Sequence, residues 1–122
     1  MKILITGATG FVGTTLIPFL YNKGLQDICL LVRNEKKAEN LFGNYRLQII
    51  STASENWPLQ VSAYNPEVVL HMAAYFTGRH DEENICRLIS SNITLTSLLL
   101  EAISKTNCQH FINFGTFTEF RN

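Results

Sequence analysis

Three glycines spaced three apart, Gly7, Gly10 and Gly13, constrain this chain more than any other feature. The apolar run Ile3-Leu4-Ile5-Thr6 precedes them, and a helical pattern begins at Phe11. Strand, glycine loop and helix in that order make a phosphate-binding turn. Glycine at 7 permits a tight strand-to-helix reversal. At 10 it leaves no Cβ between the backbone and an anion, and at 13 it lets the helix pack close against the strand. Thr9 belongs to the loop, and the amides of Phe11, Val12 and Gly13 open the helix, so their N–H groups and the positive end of the helix dipole face the anion. The spacing is G-x-x-G-x-x-G rather than G-x-G-x-x-G.

The rest of the chain alternates short apolar runs with helical segments. Strands are expected over 2–6, 27–32, 46–50, 67–71 and 110–114. Helices are expected over 11–23, from Asn34 to about Phe42, from Trp57 to Tyr64, and from about Asp81 to Lys105. In the first helix Val12, Leu16, Phe19 and Leu20 can share one face, Pro18 predicts a local kink, and Gly24 is placed to end it. The long helix carries an apolar stripe through Ile85, Leu88, Ile89, Ile93, Thr96, Leu99, Leu100 and Ile103. Near-continuous apolar strands separated by helices imply a parallel sheet covered on both faces. Right-handed crossovers and a turn after the first strand favour the order 3-2-1-4-5. The expected architecture is α/β, a Rossmann-type doubly wound parallel sheet over residues 1–122, incomplete at its C-terminal side.

Composition removes several classes of function. Ten basic and ten acidic residues cancel, so nothing draws the chain generally to nucleic acid or to an anionic membrane. Hydrophobic content of 46% suits a packed core. No apolar run reaches membrane-spanning length, and Met1-Lys2 leads straight into the first strand, so a cytoplasmic protein without a signal peptide is expected. Cys29, Cys86 and Cys108 read as reduced thiols, and His71, His80 and His110 lack helical metal-ligand spacing, so no metal site is expected.

Two further stretches join the glycine turn in a family resemblance. Pro66-Glu67-Val68-Val69-Leu70-His71-Met72-Ala73-Ala74 resembles the fourth-strand H-x-A-A signature of the extended short-chain dehydrogenases/reductases, the NAD(P)-dependent epimerases and dehydratases acting mostly on nucleotide-activated sugars. The segment from Asn92 to Ala102 looks like that family's central helix, with its asparagine at Asn92. Phe111-Ile112-Asn113-Phe114-Gly115-Thr116 is similar to its fifth strand, and Asn113 to Phe117 is similar to the CDP-abequose and CDP-paratose synthase branch. The resemblance implies a nicotinamide dinucleotide and a nucleotide-sugar substrate. It makes Thr116 the catalytic hydroxyl that hydrogen-bonds the substrate oxygen, and implies cofactor contacts near His71, Ala73, Ala74 and Asn92.

Departures from the family pattern bear on activity. The family's tyrosine, followed four positions later by lysine, acts as general acid/base. Here Tyr21, Tyr45, Tyr64 and Tyr75 are followed at that distance by Leu25, Ile49, Val68 and Arg79. The expectation is therefore an N-terminal cofactor-binding portion, inactive alone, of an oxidoreductase, epimerase or dehydratase. A non-catalytic dinucleotide sensor of the same superfamily is the alternative. Ser51-Thr52-Ala53-Ser54 stands where the family usually has an aspartate contacting adenine; its hydroxyls could serve that edge.

Cofactor choice is read at Arg33, about twenty residues past Gly13, where NAD-specific sites place an acid on the ribose 2′-OH. Its guanidinium could fork onto a 2′-phosphate, with Lys36 or Lys37 adding to the field, so NADP is favoured over NAD. Glu35 remains a possible 2′-OH ligand, and Asn34 and its neighbours could equally be an ordinary capped first turn. His71 could be a satisfied histidine at a strand end. Ala73 and Ala74 keep the floor low where a nicotinamide ribose would pass. An apolar last strand predicts self-association, a homodimer, through its edge.

Overall fold

The structure is a computed structural model that describes residues 1–115. Five parallel strands form one sheet: β1 Ile3–Thr6, β2 Ile28–Val32, β3 Gln48–Ser51, β4 Val68–His71 and β5 His110–Asn113, in the order β3-β2-β1-β4-β5. In register, Thr6 pairs with Leu31 on one side and with His71 on the other, and His71 pairs with Asn113. The expected fold class and strand order are what the structure contains.

Period-two alternation splits the sheet into two faces. Ile3 and Ile5 of β1, Ile28, Leu30 and Val32 of β2, and Val68 and Leu70 of β4 point to one core. Helix α1, Phe11–Asn22, covers it with Ile17 and Leu20, and α2, Glu35–Phe42, with Ala38 and Phe42. Leu4, Cys29, Leu31, Ile50 and Val69 point the other way. There they meet Trp57, Val61 and Tyr64 of α3, Trp57–Tyr64, and Leu99, Ala102 and Ile103 of α5, Leu95–Ile103. Two-sided burial explains why the strands read as unbroken apolar runs.

The buried stripe of α1 differs from the expected one. Gly13 and Ile17 are buried and Leu20, an expected member, is half-buried, while Val12 and Phe19 are exposed. Close approach at Gly13 rotates the helix so that position 13, not 12, faces the sheet. The helix runs through Pro18 and ends with Gly24 at φ +89°. There the amides of Gly24 and Leu25 donate to the carbonyls of Tyr21 and Leu20, a Schellman closure.

The long helix expected from Asp81 to Lys105 is three pieces. Helix α4, Glu82–Ile89, capped by Asp81, passes into a π-helical turn, Ser90–Thr94, and then into α5. Its apolar stripe divides accordingly: Leu99 and Ile103 are buried, but Ile85, Ile89, Ile93 and Leu100 are exposed. The strand expected from Arg46 begins instead at Gln48, because Leu47 still bonds to the Tyr45 carbonyl in the preceding turn. Among the described residues no helix is long and apolar enough to cross a membrane.

Candidate dinucleotide-binding cleft

The turn between β1 and α1 has the geometry its glycines require. Gly7 adopts φ +70°, and a Cβ there would stand 2.6 Å from the Met72 carbonyl carbon and 2.7 Å from the Ala73 nitrogen. A Cβ on Gly13 would stand 2.2 Å from the Ala8 carbonyl oxygen. These two glycines let the helix and the end of β4 close on the loop. Gly10 has an ordinary φ of −82°, and a methyl there would meet only the Gly7 oxygen, at 3.3 Å. Its missing side chain keeps space open.

Gly10 is also the N-cap of α1, and no side chain caps that first turn. The first bond into the helix runs from Thr14 N–H to the Gly10 carbonyl, so the amides of Phe11, Val12 and Gly13 precede it. An anion at the turn would meet those N–H groups and the positive end of the dipole. Phe11 and Val12 are side-chain exposed and Gly13 is buried, so what these positions present at the turn is backbone.

A cleft of about 450 Å³ opens beside this turn at the carboxyl edge of the sheet. Gly7, Ala8, Thr9 and Gly10 form one wall, and Val32, Arg33, Asn34, Lys37 and Thr52 line the side toward β2 and β3. Met72, Ala73 and Ala74 form the floor beyond β4, and Ser91 and Leu95 close it from the helix side. Ligands of open α/β sheets bind at this place, where the strand order reverses. A depression of about 540 Å³ at the opposite edge, lined by Lys2, Glu67, Asn107 and their neighbours, has no glycine turn.

Of the residues expected at the site, Gly7, Thr9, Gly10, Arg33, Asn34, Ala73 and Ala74 therefore line one cleft. Lys37 lines it too, whereas Lys36 does not. Glu35 lies on the other side of α2, against a depression it shares with Glu39 and Tyr45. Asn34 accepts from the Lys37 amide at 3.0 Å and so caps α2 while bordering the cleft. Asn34→Ala should destabilise the protein by about 1 kcal/mol, read by denaturant unfolding, with the loss traced to α2.

Five expected residues stand apart from the lining: Phe11, Val12 and Gly13, which open α1 beside it, and His71 and Asn92. His71 is enclosed, 3% exposed, with Nδ1 2.7 Å from Thr6 Oγ1 and Nε2 2.9 Å from Thr96 Oγ1. The histidine thus occupies the layer below the floor. Asn92 sits in the π turn, where its Oδ1 accepts from Tyr75 N–H and its Nδ2 donates to the Tyr75 carbonyl, each at 2.8 Å. It holds the loop that follows Ala74. Thr116, the expected catalytic hydroxyl, lies outside the described residues.

The residues not anticipated are Ala8, Leu31, Val32, Met72, Ser91 and Leu95. Ser90-Ser91-Asn92 was the available signal for the helix side, since three poor helix formers in succession mark a weak point in a helical pattern. Among the described residues no group of three His, Cys, Asp or Glu side chains clusters as a metal site would. Burial, with Asp27 adding to it, pushes the Cys29 thiol up to about 12, and burial raises Cys108 as well, so neither is a ready thiolate.

Residues 3–121 match the NAD dependent epimerase/dehydratase family. A CDP-abequose synthase of Yersinia pseudotuberculosis is 24% identical over 120 residues, 98% of this chain and 41% of the relative. A CDP-paratose 2-epimerase of Salmonella typhi is 29% identical over 114 residues, 88% of this chain and 34% of the relative. The chain therefore spans well under half the length of these curated relatives. The UDP-glucuronic acid 4-epimerase of Bacillus cereus, solved with UDP-glucuronic acid and NAD, superposes with a TM-score of 0.77 at 26% identity, covering 97% of this chain and 41% of that one.

Proposed function

The chain belongs to the NAD dependent epimerase/dehydratase family, and from that premise we propose that it is the cofactor-binding portion of an enzyme of nucleotide-activated sugars. The observation that carries the reading is the cleft itself, where the glycine turn, Arg33 and the Ala73–Ala74 floor converge. In this reading the amides of Phe11, Val12 and Gly13 hold the diphosphate. Thr9 borders it, Thr52 meets the adenine edge, and the alanines leave room for the nicotinamide ribose. When bound, the dinucleotide would supply hydride transfer. Thr116 would orient the substrate oxygen, and the proton-transferring tyrosine and its lysine would have to come from outside these 122 residues. Whether the whole reaction is a reduction, an epimerisation or a dehydration depends on groups beyond this cleft.

The preferred dinucleotide is NADP. Two cationic side chains, Arg33 and Lys37, border the cleft where a 2′-phosphate would lie, and Glu35, the nearby acid that could take a 2′-OH, faces away. Titration with NADPH and NADH, followed by nicotinamide fluorescence, tests both parts. Tighter NADPH binding is expected; no binding of either by the well-folded protein would defeat the assignment.

Self-association belongs to the same reading. Strand β5 is the sheet's edge among the described residues, with Ile112 47% exposed. An exposed apolar edge recruits a second strand. Light scattering of residues 1–122 should therefore report a dimer or larger species, and a monodisperse monomer would count against it.

A further inference from the structure

Counting hydrogen bonds beneath the cleft floor assigns one protonation state to His71. Thr6 Oγ1 is buried and accepts from Ala73 N–H at 3.0 Å and from Met72 N–H at 3.2 Å, an amide it shares with the Thr6 carbonyl at 3.3 Å. A hydroxyl oxygen has two lone pairs, and these two donors use both. The Thr6 O–H therefore donates to His71 Nδ1 at 2.7 Å. An imidazole that accepts at Nδ1 is neutral and carries its proton on Nε2, which donates to Thr96 Oγ1 at 2.9 Å. One chain of bonds thus ties the ends of β1 and β4 to α5 and holds the floor from below.

We propose that His71 is a positioning residue whose protonation releases the cleft floor, so that dinucleotide binding weakens in mild acid. A proton on Nδ1 sets a donor against the Thr6 O–H. The hydroxyl oxygen can accept it only by giving up the Ala73 amide or its share of the Met72 amide, and the Ala73 amide has no other acceptor among the described residues. That backbone already touches Gly7, so a shift there moves the phosphate-binding turn as well. The inference rests on reading the cleft as a dinucleotide site.

The surroundings of the ring favour the neutral form. Burial lowers the His71 pKa below its ordinary 6.5, with no neighbouring charge contributing. From β5 the Phe111 ring lies 5.6 Å away, and from β1 and α5 the ring meets the two threonines. Cys29 of β2, on the same sheet face, is held protonated by burial. Glu101 of α5 and Lys105 just beyond it are exposed and paired with each other, and His110 of β5 is exposed. A group whose folded pKa is depressed in this way costs stability as pH falls below the ordinary value toward the folded one.

NAD is the appropriate probe, because the 2′-phosphate of NADP itself titrates near pH 6. Its affinity would be measured from pH 7.5 downward through the ring's own titration for the wild type and for His71→Asn, whose amide oxygen can still accept from Thr6. In parallel, NMR would follow the His71 ring and the Met72 and Ala73 amides of the ligand-free wild type. The expected result is that wild-type affinity falls in step with the ring's own NMR titration, roughly threefold once about two-thirds of the rings are protonated, as the competent fraction falls. The two amides should titrate together with the ring, and the variant's affinity should not change with pH. Equal affinity of the wild type on the two sides of the ring's titration, the same pH slope in His71→Asn, or amides that ignore the ring's titration would each overturn the proposal. Absence of binding of both NAD and NADPH at pH 7.5 would instead overturn the cofactor reading.

Discussion

Gly13→Ala should destabilise the protein by about 3 kcal/mol or more, lowering Tm by over about 10 °C for a domain of this size. The new methyl would stand 2.2 Å from the Ala8 carbonyl oxygen, and Ala8 itself is fully buried. Neither backbone segment can yield without lifting α1 from the sheet. Gly7→Ala should be comparably harmful, because it combines a positive φ with a methyl 2.6 Å from the Met72 carbonyl carbon. Gly10→Ala separates folding from binding. Its backbone suits any residue and its only close contact is at 3.3 Å, so stability should fall by less than about 1 kcal/mol. Dinucleotide affinity should nonetheless fall at least roughly tenfold, since the methyl stands in the mouth of the cleft. Thermal unfolding and NADPH titration of the three variants check this. Equal destabilisation by all three, or full affinity in Gly10→Ala, would contradict the assigned roles.

Arg33→Ala should reverse or erase the cofactor preference. A charge-assisted, bidentate contact contributes about 1.5–3 kcal/mol, so losing it should weaken NADPH binding by roughly 10- to 150-fold. NADH lacks the 2′-phosphate and should bind almost as before. Lys37→Ala should produce a smaller loss of the same sign, because an ammonium offers a point charge rather than a fork. Lys36→Ala should do little, since Lys36 does not line the cleft. Parallel titrations at fixed ionic strength read the ratio directly. If Arg33→Ala weakens NADH as much as NADPH, the arginine holds something other than the 2′-phosphate.

Elements governed by local rules could be read from the sequence. The five strands, their order and the glycine turn follow from apolar runs, punctuation by Gly and Pro, and handedness. Gly24 ends α1 as its type implies. What escaped depends on packing between elements. The stripe of α1 is set by how deeply Gly13 sits against Ala8, which periodicity among Val12, Leu16 and Phe19 does not encode. The break at Ser90–Thr94 was hidden because the apolar stripe continues across it, through Ile89 and Ile93. For His71, at a strand end on the carboxyl edge, the sequence allowed both a cofactor contact and a satisfied histidine, and both ring nitrogens are satisfied. Its parity turns it toward α5, onto the face shared with Val69 and Leu99. Lys37 could be separated from Lys36 only once α2 was seated on the sheet.

The central claim is that amides at the start of α1 hold the diphosphate, and backbone amide NMR during NADPH titration tests it most directly. Saturable shifts of Phe11, Val12 and Gly13, accompanied by Arg33 and Ala73 and sparing the edge around Lys2 and Asn107, are the predicted result. Saturable binding that leaves those three amides unmoved while others respond would contradict it.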